Sequence, residues 1–147
     1  MGILLLARSV PPPDDGTTVE EFMAFGRGVS FHFNMSTFLD VEWPEADTDI
    51  NAFNPTALDI NQWGAMAAAW GAGYAHITAK HHDGFCLWPT ATTERNISET
   101  AWGAANPGAD IVQDFVTVMR IAGIRPTLYF SVWDKKFELD NPGYTQT

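Results

Sequence analysis

Two adjacent histidines and a carboxylate begin the stretch of this chain with the greatest capacity for chemistry, His81–Trp88. This stretch, with the sequence HHDGFCLW, directly follows Tyr74–Lys80, a run whose composition is typical of a β-strand. In α/β barrels and open α/β sheets, substrates bind at the carboxyl ends of the strands. The pattern therefore predicts a strand that delivers polar side chains to the rim of a pocket.

Two other predicted strands also end in hydrogen-bonding side chains. The alternation of apolar and polar residues over 29–33 predicts a strand that ends near His32, and residues 124–131 predict one that carries Tyr129 near its end. If these strands are parallel, their carboxyl ends meet at one edge, so His32, Tyr129 and the histidine pair should share one rim. Imidazole and phenol groups bind individual hydroxyls, which favours a polyhydroxylated ligand.

The histidines also permit a second interpretation as a metal site, because barrel hydrolases often hold metals with strand-end histidines. Adjacent histidines in an extended chain point to opposite faces, so His81 and His82 are poorly placed to share one ion with His32 or Asp83. We therefore expect no metal and no cofactor. A metal-dependent barrel hydrolase remains an alternative.

Several other side chains have structural interpretations. His76 lies in mid-strand and is expected to be a hydrogen-bonded core residue, and Cys86, the single cysteine, a structural thiol. Two tryptophans on a helical stripe, Trp63 and Trp70, are expected to pack in the core. Tryptophans in predicted loops could be either stacking platforms for a ligand or anchors for the loop; they are Trp43, Trp88 and Trp133.

Two amphipathic helices separate the three strands. Asp59 and Asp110 each provide an N-cap before an apolar stripe of helical spacing, and glycines follow both stripes. The α/β order is therefore β-α-β-α-β, with short helix-to-strand turns and long strand-to-helix loops, as in a (β/α) barrel. Since a barrel usually needs ~250 residues, we expect an incomplete (β/α)8 TIM-like barrel over residues 17–147. The polar, proline-rich residues 1–16 are expected to form a flexible segment outside it.

The composition restricts the classes of partner. The chain has 147 residues, of which 46% are hydrophobic and 18% charged, which is typical of a packed globular protein. Its net charge of −10 argues against nucleic acid and anionic membranes as partners. No run approaches the ~18 apolar residues of a membrane span. The single cysteine leaves the cellular compartment undecided.

The segment from Thr78 to Pro89, TAKHHDGFCLWP, strongly resembles the signature of the α-L-fucosidases of glycoside hydrolase family 29. The similarity extends over residues 20–134 and includes the first predicted strand up to His32 and the segment Leu128–Ser131. It implies a (β/α)8 catalytic barrel, a hydrolase that releases terminal α-L-fucosyl residues with retention through an aspartate nucleophile. It also implies fucosylated glycans or glycosides as substrates, and a secreted or lysosomal-like location.

The resemblance also assigns roles to individual residues. The histidines and Tyr129 would contact fucose hydroxyls, Glu42 would accept a further hydroxyl, and Trp43 would form an aromatic wall. The substrate-binding residues implied are His32, Glu42, Trp43, His81, His82 and Tyr129.

No catalytic residue is expected within this chain, because the family's nucleophile follows a fourth strand and its acid/base residue comes later. Asp134 and Asp140 do not stand in the context of that nucleophile. The alternative is a non-catalytic fucose-binding or vestigial fragment. One departure from the family pattern is Phe33-Asn34, which stands where the family has Trp-Gly and predicts a different turn after His32.

Overall fold

The computed structural model describes residues 18–144, and its centre is a parallel three-stranded sheet. The strands are β1 (Gly28–Phe31), β2 (Tyr74–Lys80) and β3 (Arg125–Phe130), and they lie side by side in that order. The predicted β-α-β-α-β order is confirmed. The segment that was predicted to be flexible, residues 1–16, lies outside the described residues.

Six α-helices accompany the sheet in the described part of the chain, and two of them make the crossovers. Helix α3 connects β1 to β2, and α5 connects β2 to β3. The four short helices were not predicted from the sequence. In chain order the helices are α1 (Val19–Ala24), α2 (Ser36–Leu39), α3 (Ile60–Ala69), α4 (Ala101–Ala105), α5 (Ile111–Ile121) and α6 (Lys135–Asp140), with single 3-10 turns at Ile50–Ala52 and Ile97–Glu99.

Both crossover helices begin where their caps predict. Asp59 Oδ1 accepts the Gln62 backbone N–H at 3.0 Å, and Asp110 Oδ1 accepts the Gln113 N–H at 2.8 Å. These bonds satisfy backbone donors that the first turn of a helix leaves free. Helix α5 is followed by Gly123 in the left-handed region, at φ 73°, which lets the chain turn directly into β3.

The main core lies between the sheet and the two crossover helices. On α5 the predicted stripe is confirmed, since Ile111, Phe115 and Met119 are at most 1% exposed. On the sheet, Ala75 and Ile77 of β2 belong to the same buried cluster. The helices therefore cover the face of β2 that these two residues occupy.

The predicted stripe of α3 is only partly correct. Its buried line runs through Ile60, Gly64 and Ala67, and a Cβ on Gly64 would lie 2.5 Å from Val118 Cγ1 of α5. The two helices therefore approach closely at Gly64. Trp70 lies at the edge of this line and is 53% exposed, so its predicted core position is wrong.

Two further residues of the predicted α3 stripe differ in burial. Trp63 does pack inward, because it stacks on Phe31 at 5.0 Å between ring centroids. Met66, whose helical spacing from Trp63 also predicts a place on this apolar stripe, is 48% exposed, so that prediction is wrong. No helix within residues 18–144 is long and apolar enough to cross a membrane.

Candidate functional site

A register shift at the end of β2 determines which side chains reach the rim. Thr78 pairs with Tyr129, but the next pair is Lys80 with Phe130, so β2 contains one residue more than β3 at this point. An extra residue of this kind is a β-bulge, and it reverses the face on which the following side chains lie. After the bulge His81 lies on the same side as Tyr129, and the centroids of the two rings are 6.0 Å apart.

The three rim histidines form one group of rings. The ring centroids of His32 and His81 are 5.1 Å apart, and those of His81 and His82 are 4.3 Å apart. The expectation that adjacent histidines point to opposite faces is therefore wrong here. The physical reason is a turn directly after β2, in which the Gly84 N–H donates to the His81 carbonyl at 3.1 Å, so the pair is not in extended backbone.

Two tryptophans form an aromatic wall beside His82. The ring centroid of Trp43 lies 5.6 Å from that of His82, and that of Trp133 lies 4.8 Å from it. The two indoles are 6.1 Å apart and nearly perpendicular. Trp43 is 52% exposed, which leaves apolar ring surface open to solvent at the rim.

Glu42 is the one predicted substrate-binding residue outside this group of rings. It is exposed, and with His32 it lines a shallow surface cavity of about 450 Å³. A larger cavity of about 1000 Å³ lies in the outer helical layer, between the 51–61 loop, α4 and α5, and contains none of the predicted site residues. Cavity size therefore does not single out the predicted site residues, which are brought together at the strand ends instead.

Burial favours the neutral form of two rim histidines, His81 and His82. The pKa of His81, which is 5% exposed, is lowered to about 4 by burial and then by His82, His32 and Lys135. The pKa of His82 is also lowered, by burial first and then by Lys135 and Lys80, while Asp83 opposes the shift. A neutral imidazole presents one N–H donor and one lone-pair acceptor, and the lowered pKa values favour this form for the His81 and His82 rings at neutral pH.

One ring nitrogen in this group is not satisfied within residues 18–144. Nδ1 of His81 is buried and has no hydrogen-bond partner among the described residues. A buried polar atom without a partner costs about 1–3 kcal/mol. A hydroxyl group can either donate to or accept from a ring nitrogen of this kind.

An ion pair fixes the loop that follows the histidines. Arg95 Nη2 lies 3.2 Å from Asp83 Oδ2, and Arg95 also donates to the Asp83 carbonyl at 3.0 Å and to the Thr48 carbonyl at 2.8 Å. Asp83 is fully buried. Burial raises the pKa of Asp83, and the Arg95 guanidinium opposes that shift. Arg95 therefore pairs with Asp83 within the histidine loop and joins that loop to the one that carries Thr48.

A second ion pair connects β2 to the segment after β3. Lys80 Nζ donates to the Ser131 carbonyl at 2.9 Å and lies 2.9 Å from Asp134 Oδ2. Asp134 also caps α6, because its Oδ1 accepts the Phe137 N–H at 2.9 Å. Asp140 is paired with Lys136. Both carboxylates are thus engaged in structural contacts.

The remaining candidates occupy structural positions. His76 Nε2 is hydrogen-bonded to Ser30 Oγ at 2.7 Å, although His76 is only half-buried and not a core residue. Trp88 packs near Phe130 at 6.3 Å between ring centroids, away from the rim histidines. Cys86 is buried, and burial raises the pKa of its thiol to about 11. No group of three or more His, Cys, Asp or Glu side chains in the described part of the chain is placed to hold a metal ion.

Residues 18–147 match the sequence model of a family described as α-L-fucosidase. The chain belongs to the α-L-fucosidase family. It is 39% identical to α-L-fucosidase 1 of Arabidopsis thaliana over 104 residues, which cover 71% of this chain and 20% of that protein. The chain thus spans about a fifth of the length of this curated relative.

Solved structures in the α-L-fucosidase family share the fold. A glycoside hydrolase family 29 member from an unknown rumen bacterium superposes with a TM-score of 0.73 at 32% identity, over 78% of this chain and 20% of its own. A family 29 α-L-fucosidase from Bacteroides thetaiotaomicron, trapped as a covalent intermediate with 2-fluoro-fucosyl fluoride, superposes with a TM-score of 0.67 at 30% identity. That match covers 80% of this chain and 30% of the bacterial one.

The departure from the α-L-fucosidase pattern after His32 has a structural explanation. Asn34 is fully buried, and its Nδ2 donates to the Thr78 carbonyl at 3.1 Å. Its Oδ1 accepts the Met35 N–H at 2.7 Å. Asn34 therefore connects the end of β1 to β2, and Phe33 packs against Trp63 at 5.1 Å between ring centroids.

Sequence reasoning missed two rim residues of this α-L-fucosidase family member and left the role of a third open. Ser131 hydrogen-bonds the His82 ring at 2.7 Å, and Arg95 fixes the loop. Trp133 completes the aromatic wall, a role that its position in a loop left open. The signal that could have found Ser131 and Trp133 is their place directly after β3, in line with the histidines after β2.

Proposed function

We propose that residues 17–147 are the N-terminal part of an incomplete (β/α)8 catalytic barrel that supplies one side of the fucose pocket of a retaining α-L-fucosidase. Three adjacent parallel strands joined by covering helices support the barrel assignment. The observation that carries the functional assignment is the group of imidazole and aromatic rings at the carboxyl ends of all three strands. Family membership supports the choice of fucose.

The proposed roles follow from the chemistry of each side chain. His32, His81 and His82 bind fucose hydroxyls through their ring nitrogens. Burial and neighbouring positive groups disfavour the charged form of His81 and His82. Tyr129 and Glu42 add a phenol and a carboxylate to this hydrogen-bonding set. Trp43 covers the C–H face of the sugar ring.

Neutral recognition distinguishes this rim from an anion site. A phosphate or carboxylate would need a fixed cation, yet the lysines of the rim are already engaged. Lys80 is paired with Asp134 at 2.9 Å, and Lys135 Nζ lies 3.2 Å from Glu45 Oε1. A neutral sugar with several hydroxyls therefore fits these residues better than an anionic ligand.

Hydrolysis itself is proposed for a protein of the relatives' length. The covalent intermediate of the Bacteroides thetaiotaomicron relative supports a retaining route, which requires two carboxyl groups ~5–5.5 Å apart. Within residues 18–144, Asp134 and Asp140 are engaged in structural ion pairs. For the 147-residue chain by itself these pairs favour the second candidate, a fucose-binding unit without catalysis.

Titration of the 15N-labelled 147-residue chain with L-fucose tests the proposal. Resonances of the His32, His81 and His82 rings should shift, whereas those of His76 should not, and the enantiomer D-fucose should leave all four unchanged. The same chain should not hydrolyse an aryl α-L-fucoside. Equal responses to the two enantiomers, or shifts confined to His76, would contradict the pocket assignment, and turnover in fucosidase-free preparations would contradict the absence of catalysis.

A further inference from the structure

The Ser131 hydroxyl lies between two polar groups at the rim. Its Oγ is 2.7 Å from Nδ1 of His82 and 2.6 Å from the backbone carbonyl oxygen of Trp133. Ser131 is 4% exposed, so water has little access to this hydroxyl. The protons in these two hydrogen bonds must therefore come from the Ser131 hydroxyl and the His82 ring, and not from water.

Counting the protons fixes the direction of both hydrogen bonds. A hydroxyl has one proton to donate, and a carbonyl oxygen has none. The contact between Ser131 and the Trp133 carbonyl is a hydrogen bond only if the hydroxyl donates. Ser131 Oγ must then accept from His82, so the proton of the neutral His82 ring lies on Nδ1 and the lone pair on Nε2.

Contacts other than the ring hydrogen bond hold both Ser131 and His82 in place. The Ser131 N–H donates to the Lys80 carbonyl at 3.0 Å, and the Ser131 carbonyl accepts from Lys80 Nζ at 2.9 Å. The His82 carbonyl is held in turn by the Lys135 N–H at 2.8 Å. Both partners are thus fixed by contacts that do not involve the ring.

We propose that Ser131 is a positioning residue that holds His82 as the Nδ1–H tautomer and leaves Nε2 as a hydrogen-bond acceptor. Among the described residues, the ring nitrogens of His82 make no hydrogen bond other than that of Nδ1 to Ser131. Nε2 is therefore available to a ligand. Where the ligand is a sugar this rests on the proposed function, and the group recognised by His82 is a hydroxyl that donates its proton.

His76, in the middle of β2, provides an internal comparison with His82, which lies just beyond the end of that strand. Its Nε2 lies 2.7 Å from Ser30 Oγ, but within residues 18–144 Ser30 makes no second side-chain hydrogen bond. The Ser30 hydroxyl is therefore able either to donate or to accept. Serine alone does not select a tautomer; the additional acceptor at Trp133 does.

Long-range 1H–15N correlation spectra of the labelled 147-residue chain test the proposal directly. The chain has four histidines, and loss of one ring system in His82→Gln assigns that of His82. At neutral pH, His82 Nδ1 should resonate as a protonated nitrogen and Nε2 as an unprotonated one. Ser131→Ala should move the ring toward the Nε2–H form, Ser131→Thr should preserve Nδ1–H, and Ser30→Ala should leave His82 unchanged.

Two results would overturn the proposal. One is a wild-type His82 that carries its proton on Nε2 or on both nitrogens, which decides the matter even if Ser131→Ala fails to fold. The other is a folded Ser131→Ala variant whose His82 tautomer is unchanged. A wild-type chain that shows the Nδ1–H form but does not respond to L-fucose would count against the proposed function and in favour of the tautomer assignment.

Discussion

Strand β2 has histidines in its middle and just beyond its end, and the two places differ in how their polar groups are satisfied. His76 is half-buried and hydrogen-bonded to one neighbouring serine. His81 is 5% exposed, has a buried ring nitrogen without a partner in the described residues, and has its pKa lowered to about 4. Folding alone favours the arrangement at His76, whereas an unpartnered buried nitrogen and a lowered pKa, as at His81, are more frequent at functional sites than in packed cores.

The surroundings of the two places differ in the same way. The face of β2 that carries Ala75 and Ile77 is covered by apolar helix side chains. Beyond the end of the strand, the histidine loop is held by the buried ion pair of Arg95 with Asp83, and Lys80 at the strand end pairs with the half-buried Asp134. Removing one partner of such a pair strands a charge, whereas an apolar contact loses only its own packing.

Replacement of Arg95 by methionine should have the largest effect. The change leaves the fully buried Asp83 carboxylate without its cation, and breaking a buried pair costs about 3–5 kcal/mol. Denaturant unfolding should show this loss in the free energy of unfolding. The matched control is Arg120→Met at an exposed position of α5, which should change stability by less than about 0.5 kcal/mol. Similar losses in both variants would show that the rim is not held by this pair.

The second largest effect should be the dependence of stability on pH. Its sign follows from the pKa of His81. In the unfolded chain His81 has its ordinary pKa of 6.5, and in the folded chain about 4. Between these values the unfolded state binds more protons, so folding is disfavoured as the pH falls from about 6.5 toward 4. The raised pKa of Asp83 acts in the opposite direction.

Comparison of variants separates these two contributions. Melting temperatures of the wild type and of His81→Gln, measured from pH 7 to pH 4, share the contribution of Asp83. The wild type should lose more stability on acidification than His81→Gln. His76→Gln, the mid-strand control, should retain the steep wild-type profile. Parallel profiles for the wild type and His81→Gln would show that protonation of His81 does not affect stability, so that His81 and His76 would not differ in this respect.

Local sequence was sufficient for much of the fold, because caps and strand patterns involve residues close together in the chain. Asp59 and Asp110 each accept from a backbone N–H three residues later, and the predicted strand Tyr74–Lys80 has the bounds observed. The position of Trp70 was wrong because the α3 contact is set by Gly64 against Val118, which lies 54 residues further along the chain. No local pattern contains that information.

The candidate site shows the same division. The strand-end histidines were visible in the sequence, because an abrupt change to polar residues follows β2. The bulge that turns His81 toward Tyr129 was not, since it depends on the pairing with β3. The contact of Ser131 with His82 also joins residues 49 positions apart. Side-chain types were therefore predictable, but the direction in which they point required the tertiary pairing.

Substitution of single histidines should have the smallest effect in free energy. It tests most directly whether the strand-end histidines bind a ligand and the mid-strand histidine does not. In His81→Ala or His82→Ala, the proposed pocket loses one hydrogen bond to the sugar, worth about 0.5–1.5 kcal/mol, or roughly a 2- to 13-fold weaker affinity for L-fucose. His76→Ala should leave the affinity unchanged and lower the melting temperature instead, because it leaves Ser30 without its partner.

Affinity from ligand titration and melting temperature should be measured on all three variants. In a protein of the relatives' length, kcat/KM for an aryl α-L-fucoside should fall further in the His81 and His82 variants if these contacts tighten in the oxocarbenium-like transition state. If His76→Ala weakens fucose binding as much as His81→Ala does, the sugar contacts the middle of β2 as well. The distinction between a structural and a ligand-binding histidine on this strand would then fail.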